Sequence, residues 1–376
     1  MKRVVSARDE WIYTEDGTAY LDALSGAYNV SYGHGHLRIR QRLKTLLSQE
    51  TPLNCHDVSS IYRVQAEETL SQLTGYDTVH FFTTGAEAIE KALGIALHRA
   101  PDALVVTFRD PFHEGATGTL PFFRREGNTP FYWQRKEFNE ATIEELAQDS
   151  RPLVVLVEPI QPYSGVIPPR ELLVRLREVC EQKAATLIFD EVVTGLGRCG
   201  QNFLSDDPEI RPDILVLGES LGQGFPVSAV CYSKTKFPEP GICLATSTAG
   251  NPYACAIVKE VCEILEEEGM VFHSRRVGSM IRSKIRFQFN QRGLPFKVVG
   301  RGSMVFIHYQ PDFVVEFPFL GRVVRRLREE RRIIVRQRGS TLVMMPPFIT
   351  SNSSIELIAY NVVDVTIEEI LSGGLR

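Results

Sequence analysis

Short apolar runs alternate with amphipathic stretches through the middle of the chain. Val79–Phe82, Ala103–Phe108, Leu153–Glu158, Thr186–Asp190, Ile214–Gly218 and Ser228–Tyr232 have the length and content of buried strands. Ala86–His98, Arg170–Lys183 and Asn251–Glu268 repeat apolar residues at three- and four-residue spacing and predict amphipathic helices. Strand, helix, strand alternation predicts an α/β fold whose mostly parallel sheet is covered on both faces. The pattern changes near Phe272. A helix over about Ser274–Gln291, short strands around Val298 and Met304–Tyr309, an Arg-rich helix (Leu320–Arg332) and a final helix follow, which suit a smaller α+β lobe. Near the N-terminus, Tyr13–Asp22 reads as a hairpin turning at Asp16-Gly17. The expected division is a large domain over 46–272 and a small domain built from 1–45 and 273–376.

The chain has 376 residues, 43% hydrophobic and 23% charged, which fits a globular protein of this size. A net charge of −4 argues against general nucleic-acid binding. No run of roughly 18 apolar residues predicts a membrane span. The first residues lack an apolar signal core before Asp9 and Glu10, so a cytoplasmic protein is expected. Seven cysteines form no Cys-x-x-Cys pair, and Cys180, Cys231, Cys255 and Cys262 lie in apolar patterns, which predicts reduced, buried thiols. His34 and His36 have no third ligand nearby and read as loop residues, so no metal is expected. The Arg322–Arg332 run, interleaved with Glu329 and Glu330, reads as a solvated helix face rather than a site for an acidic partner.

Two segments suggest chemistry. Thr83-Thr84-Gly85-Ala86 follows a strand and opens a helix, where free amides, the helix dipole and the Thr84 hydroxyl suit a phosphate. An ordinary capped helix start has the same sequence. Asp190 ends the strand Thr186–Asp190, where a carboxylate faces the ligand crevice of an open α/β sheet; an Asp capping the next turn is an equal reading.

Set in order, the motifs are more specific. Leu187-Ile188-Phe189-Asp190-Glu191-Val192-Val193-Thr194-Gly195-Leu196-Gly197-Arg198 resembles the signature of class III aminotransferases. Val157-Glu158-Pro159, Thr246-Ser247-Thr248-Ala249-Gly250-Asn251-Pro252 and Gly33-His34-Gly35-His36 resemble other segments of that family. The resemblance runs from about residue 10 to about residue 370. It implies a fold-type I pyridoxal phosphate architecture, a large domain with a mostly parallel sheet plus a smaller α+β domain, in a homodimer with active sites at the interface. By residue, it implies that Thr84, Gly85 and Ala86 hold the cofactor phosphate. Phe112 stacks on the pyridine ring, Val192 packs on its other face, and Asp190 pairs with the ring nitrogen. Glu158 lies in the same site, Ser247 reaches the phosphate from the partner subunit, and Tyr28 forms a wall of the substrate pocket.

The departures concern the reaction. Pro212–Pro226 resembles the cofactor-lysine segment, with Glu219 where the family carries the lysine that forms a Schiff base. No lysine lies between Lys183 and Lys234. Glu219 cannot form a Schiff base, but a buried carboxylate beside a phosphate should have a raised pKa, useful to a general acid or base. Glu114 stands where the family usually has Gly, after Phe112-His113. Glu219 and Glu114 then read either as a rebuilt acid/base pair, with His113 a further proton carrier, or as drift in a site that has lost its cofactor. Met344-Met345-Pro346-Pro347 lacks the Arg that many members place before the prolines.

The expectation is therefore a class III aminotransferase-like protein that binds pyridoxal 5′-phosphate or pyridoxamine 5′-phosphate non-covalently. It would act on an amino or keto substrate by half-transamination or elimination. The alternative is an inactive pseudo-aminotransferase, acting as a structural or regulatory subunit of a heterodimer with a lysine-bearing homologue.

Overall fold

The computed structural model describes residues 3–55, 58–108, 133–238, 246–294, 296–309 and 318–374. The chain begins with three antiparallel strands, β1 (Val4–Arg8), β2 (Trp11–Thr14) and β3 (Ala19–Asp22). The turn between β2 and β3 contains Asp16-Gly17 as expected; Gly17 has φ +79°, a conformation that favours glycine.

Two helices follow, α1 (Leu37–Ser48) and α2 (Ile61–Thr74). The Ser60 side chain accepts from the Arg63 amide and caps α2, and Gly75, at φ +69°, ends it. The central sheet then takes β4 (Thr78–Phe82), β5 (Leu104–Phe108), β6 (Trp133–Lys136), β7 (Leu153–Val157), β8 (Thr186–Glu191), β9 (Ile214–Leu217) and β10 (Ser228–Tyr232). Their spatial order is β4-β10-β9-β8-β7-β5-β6. The pairs β6·β5, β5·β7, β7·β8 and β8·β9 are parallel, while β10 runs antiparallel to both neighbours. All six strands expected from the apolar runs are present.

The sheet is covered on both faces. Leu153, Val155 and Val157 of β7 enter one core cluster, and Val154 and Leu156 enter another. Helix α3 (Gly85–Arg99) covers the second face with Ala88, Ile89, Ala92, Leu93 and Ala96. Helices α4 (Glu140–Gln148), α5 (Arg170–Gln182) and α6 (Pro252–Glu267) join α2 on the first face. Asn251 caps α6, with Pro252 at its first position.

Helix α7 (Met270–Gln291) leads into a third cluster. This cluster fills the space between α7, α8 (Pro318–Glu329), α9 (Asn352–Glu369) and the sheet β11-β12-β15-β14, whose strands are Lys297–Val299, Val305–His308, Thr341–Met344 and Arg336–Arg338 respectively. Leu21 and Ala23 from the N-terminal strands join it, and β13 (Ile333–Ile334) pairs in parallel with β3. The arginines of α8 do not face open solvent alone. Arg322 pairs with Glu369 at 2.8 Å, and Arg326 bridges Glu330, Glu368 and Glu369, so these cations tie α8 to α9.

Candidate active site

A cavity of ≈ 420 Å³ opens at one edge of the central sheet. Topology explains its position. Strands β7, β8 and β9 are parallel, and two antiparallel pairings through β10 make β4 parallel to them. The C-terminal ends of all four therefore reach the same edge, where open α/β sheets bind ligands. Glu158 follows β7, Asp190 lies in β8, Glu219 follows β9, and Thr83 to Ala86 follow β4; all of them line the cavity. Gly224 to Val227, entering β10 at that edge, complete one side, and Asn29 arrives from the N-terminal segment. No lysine lines the cavity among the described residues.

The phosphate-type turn is a capped helix start that also faces the cavity. Thr84 Oγ1 accepts from the Glu87 amide at 3.2 Å, and Glu87 Oε2 accepts from the Thr83 amide at 2.9 Å. The Thr84 hydroxyl keeps its proton to donate, and the first amides of α3 have no intrahelical acceptor. Asp190 likewise combines its two readings. Its Oδ1 accepts from the Val192 amide at 3.0 Å, while the residue lines the cavity. Val192 packs against Gly85 and Gly218 together, since a Cβ on either would stand at most 3.0 Å from Val192 Cγ1.

Glu219 opens a single 3₁₀ turn, Glu219–Leu221. Burial pushes its carboxyl up to about 7, with Asp190 adding to the rise, while Arg198, a hydrogen bond from Asn29 and Arg336 oppose it. Glu191, on the other side of β8, is also pushed up to about 7 by burial. It serves the fold: its carboxylate accepts from the Leu204 and Ser205 amides at 2.9 and 2.8 Å.

Tyr28 lies beside the cavity rather than in its lining. Ser25, Gly26, Ala27 and Tyr28 all have φ between +51° and +80°, a conformation costly for the non-glycine residues. Several contacts hold it. Asp22 accepts from the Leu24 and Gly26 amides at 2.9 and 2.6 Å, Ser25 Oγ donates to Met345 O at 2.6 Å, and Arg198 donates to Tyr28 O at 3.2 Å. Arg198 is fully buried and also donates to Ser31 Oγ, Ser303 Oγ, Met345 O and Pro346 O. It thereby joins the N-terminal turn, the segment after β8 and the C-terminal Pro-Pro segment beneath Glu219.

Ser247 is exposed, and its carbonyl accepts from Asn54 Nδ2 at 2.7 Å; a single chain does not bring it to the cavity. Phe112, His113 and Glu114 lie outside the described residues. His34 and His36 have separate partners: His34 Nε2 lies 2.9 Å from Asp22 Oδ2, and His36 Nε2 lies 3.3 Å from Glu268 Oε2. Asn29, Ile89, Phe225 and Pro226 line the cavity without having been singled out from sequence. The available signals were the adjacency of Asn29 to Tyr28 and the place of Phe225 and Pro226 at the end of the Pro212–Pro226 segment.

A family model described as Aminotransferase class-III matches residues 2–365. The chain belongs to the class III aminotransferase family. It is 32% identical over 381 residues to an ornithine aminotransferase of Bordetella pertussis, covering 94% of this chain and 89% of that one. An acetylornithine aminotransferase of Archaeoglobus fulgidus is 29% identical over 369 residues, covering 94% and 93%. The structure of the ornithine aminotransferase from Toxoplasma gondii superposes with a TM-score of 0.86 at 24% identity, covering 99% of this chain and 91% of that one. The fold is that of the fold-type I pyridoxal phosphate aminotransferases, and class III aminotransferases use pyridoxal phosphate. Among the described residues, no helix is long and apolar enough to cross a membrane, and no group of three or more His, Cys, Asp or Glu is placed to hold a metal ion.

The lining of the cavity suits that cofactor's phosphate and ring. Its volume suits a small ligand, an unblocked helix N-terminus faces it, and a carboxylate and a branched apolar side chain sit on its sheet side.

Proposed function

We propose that this family member binds pyridoxal or pyridoxamine phosphate non-covalently and uses Glu219 in place of the lysine. The reaction would be a half-transamination or an elimination on an amino or keto substrate. One observation carries the reading: the helix N-terminus and Asp190 line a cavity that Glu219 also lines and that no lysine among the described residues lines. In this reading the Gly85 and Ala86 amides and the Thr84 hydroxyl hold the phosphate. Asp190 pairs with the ring nitrogen and keeps it protonated. Val192 and Phe112 contact the two ring faces, and Glu158 lines the remaining side. Ser247 reaches the phosphate from a second copy of the chain, in a homodimer.

When bound, pyridoxamine phosphate supplies an amine of its own and an electron-accepting ring. The chain's task is then to position the substrate and move protons. Glu219, near neutrality in its proton affinity, is able to hold a proton and release it at the substrate Cα at working pH. His113 and Glu114 are the further proton carriers of the proposal, and Tyr28 walls the substrate.

Absorbance titration with pyridoxal phosphate and with pyridoxamine phosphate tests this, with Glu219→Lys alongside. Binding of either form without covalent attachment, and a visible band from attachment of the pyridoxal form in the variant, are expected. Failure of the wild-type protein to bind either form would overturn it.

A second reading is favoured by the three carboxylates, Glu158, Asp190 and Glu219, that line the cavity and oppose a phosphate. It is a non-catalytic subunit that pairs with a lysine-bearing homologue. Co-purification with such a homologue would support it, and turnover by the homodimer alone would exclude it.

A further inference from the structure

Strand β14 carries two arginines that lie over tyrosine rings next to the candidate site, just outside the residues that line its cavity. Gln337, between them, points the other way: its Oε1 is 3.5 Å from where a Cβ on Gly321 of α8 would stand. Arg336 and Arg338 therefore leave the opposite face of the strand. Arg336 lies over the Tyr28 ring, 5.2 Å from its centroid, with Nη1 3.5 Å from Tyr28 Oη. Arg338 lies over the Tyr163 ring at 4.2 Å. Glu219 is close enough to be stabilised in its charged form by Arg336 and to act on Tyr163.

These two cations are unlike the arginines nearby. Arg322, Arg326 and Arg331 are all in ion pairs with carboxylates. Arg336 and Arg338 form no ion pair with any described carboxylate, and Arg338 Nε is buried with no hydrogen-bond partner. Two guanidinium groups backed by tyrosine rings, partly removed from water and in no ion pair among the described residues, form an incomplete electrostatic arrangement. A guanidinium fork matches a planar carboxylate in a bidentate manner. Phosphate has its own place at the N-terminus of α3.

We propose that Arg336 and Arg338 form the anion subsite of this cavity and take the carboxylate of its substrate, with Arg336 nearer to Glu219. The assignment rests on reading the cavity as an amino- or keto-substrate site. It identifies the substrate as an acid rather than a simple amine, and it gives β14 of the C-terminal sheet a role in specificity.

The full-length protein is titrated with glutarate and with glutaramide, its uncharged diamide, by ligand-observed NMR. Pyridoxamine phosphate is titrated separately. Glutarate is expected to bind and glutaramide not to. Arg336→Gln and Arg338→Gln are each expected to weaken glutarate binding roughly 10- to 100-fold, the usual effect of losing a charge-assisted hydrogen bond. Arg336→Lys, which keeps the charge but not the fork, is expected to fall between. Pyridoxamine phosphate binding is expected to stay within about twofold of wild type in all three, since α3 and Asp190 are untouched.

Unchanged glutarate binding in the Gln variants would overturn the proposal, as would equal binding of glutaramide. Equal loss of glutarate and pyridoxamine phosphate binding would also overturn it, by showing that the arginines only pack the tyrosines. If the wild type binds neither cofactor form while glutarate binding still depends on Arg336 and Arg338, the anion subsite stands and the cofactor reading falls.

Discussion

Val192 occupies the space that Gly218 leaves by having no side chain: an added Cβ would stand 2.8 Å from Val192 Cγ1. The strand end carrying Asp190 and the turn carrying Glu219 are thereby locked together.

Gly218→Ala is expected to push Val192 toward the cavity and destabilise the protein by about 1–3 kcal/mol, the usual range for overpacking. Urea denaturation measures the loss. Adding Val192→Ala should recover much of it, because the second change removes the atoms in conflict. Independent, additive losses would show that the contact does not matter.

Glu219 should make stability depend on pH. The unfolded chain releases this proton near pH 4.5 and the native protein near 7. Between those values the native state binds more protons, so stability falls as pH rises, and the fall is complete above pH 7. Glu191 titrates in the same window, so a comparison is needed. Going from pH 4.5 to pH 7.5, Glu219→Gln is expected to gain up to about 3 kcal/mol relative to wild type. Parallel wild-type and variant curves in urea melts at several pH values would contradict this.

Arg198→Met should be among the most damaging single changes. It removes a donor from Tyr28 O, Met345 O and Pro346 O; Ser25 Oγ still donates to Met345 O and Ser31 Oγ to Tyr28 O, but Pro346 O loses its Arg198 bond. A loss of at least about 3 kcal/mol is expected from these buried acceptors. The left-handed turn Ser25–Tyr28 should loosen first, visible as faster hydrogen exchange at the amides of Tyr28 and Val30.

Thiol labelling of the native protein should separate the cysteines. Cys180, Cys199, Cys231 and Cys255 are buried, and burial pushes each thiol up to about 12; it raises Cys262 as well. Cys55 is partly exposed. A neutral-pH thiol reagent is expected to modify Cys55 rapidly and those five only after denaturation. Rapid labelling of Cys199, which lies next to Arg198, would show that this region opens in the native state.

The legible part of the fold was the part with a strong period. The strands of the central sheet other than β6 and the helices α3, α5 and α6 lie close to where apolar spacing puts them, because each buries a continuous run or a single stripe; β6, short and half-exposed, was not anticipated. Helix α2 was not anticipated. Ile61 and Val64 remain exposed on it, so its apolar residues mark no single face. Strands β13 to β15 were missed because they are two to four residues long and take their stability from β3 and β12.

The sequence by itself determined the alternation of strand and helix, the capped turn at Thr84, the carboxylate ending β8, and a glutamate rather than a lysine at position 219. Each is a property of a few adjacent residues. Only the tertiary structure decided that Glu158, Asp190, Glu219 and Asn29 share one cavity, and that Arg198 binds the N-terminal turn to the Pro-Pro segment. It also decided that Arg336 and Arg338 turn toward Tyr28 and Tyr163 and form no ion pair with a carboxylate among the described residues. These relations join residues that are not adjacent in sequence, some of them well over a hundred positions apart. They depend on the direction of the sheet and on which face of an edge strand is inward, and no local pattern encodes either.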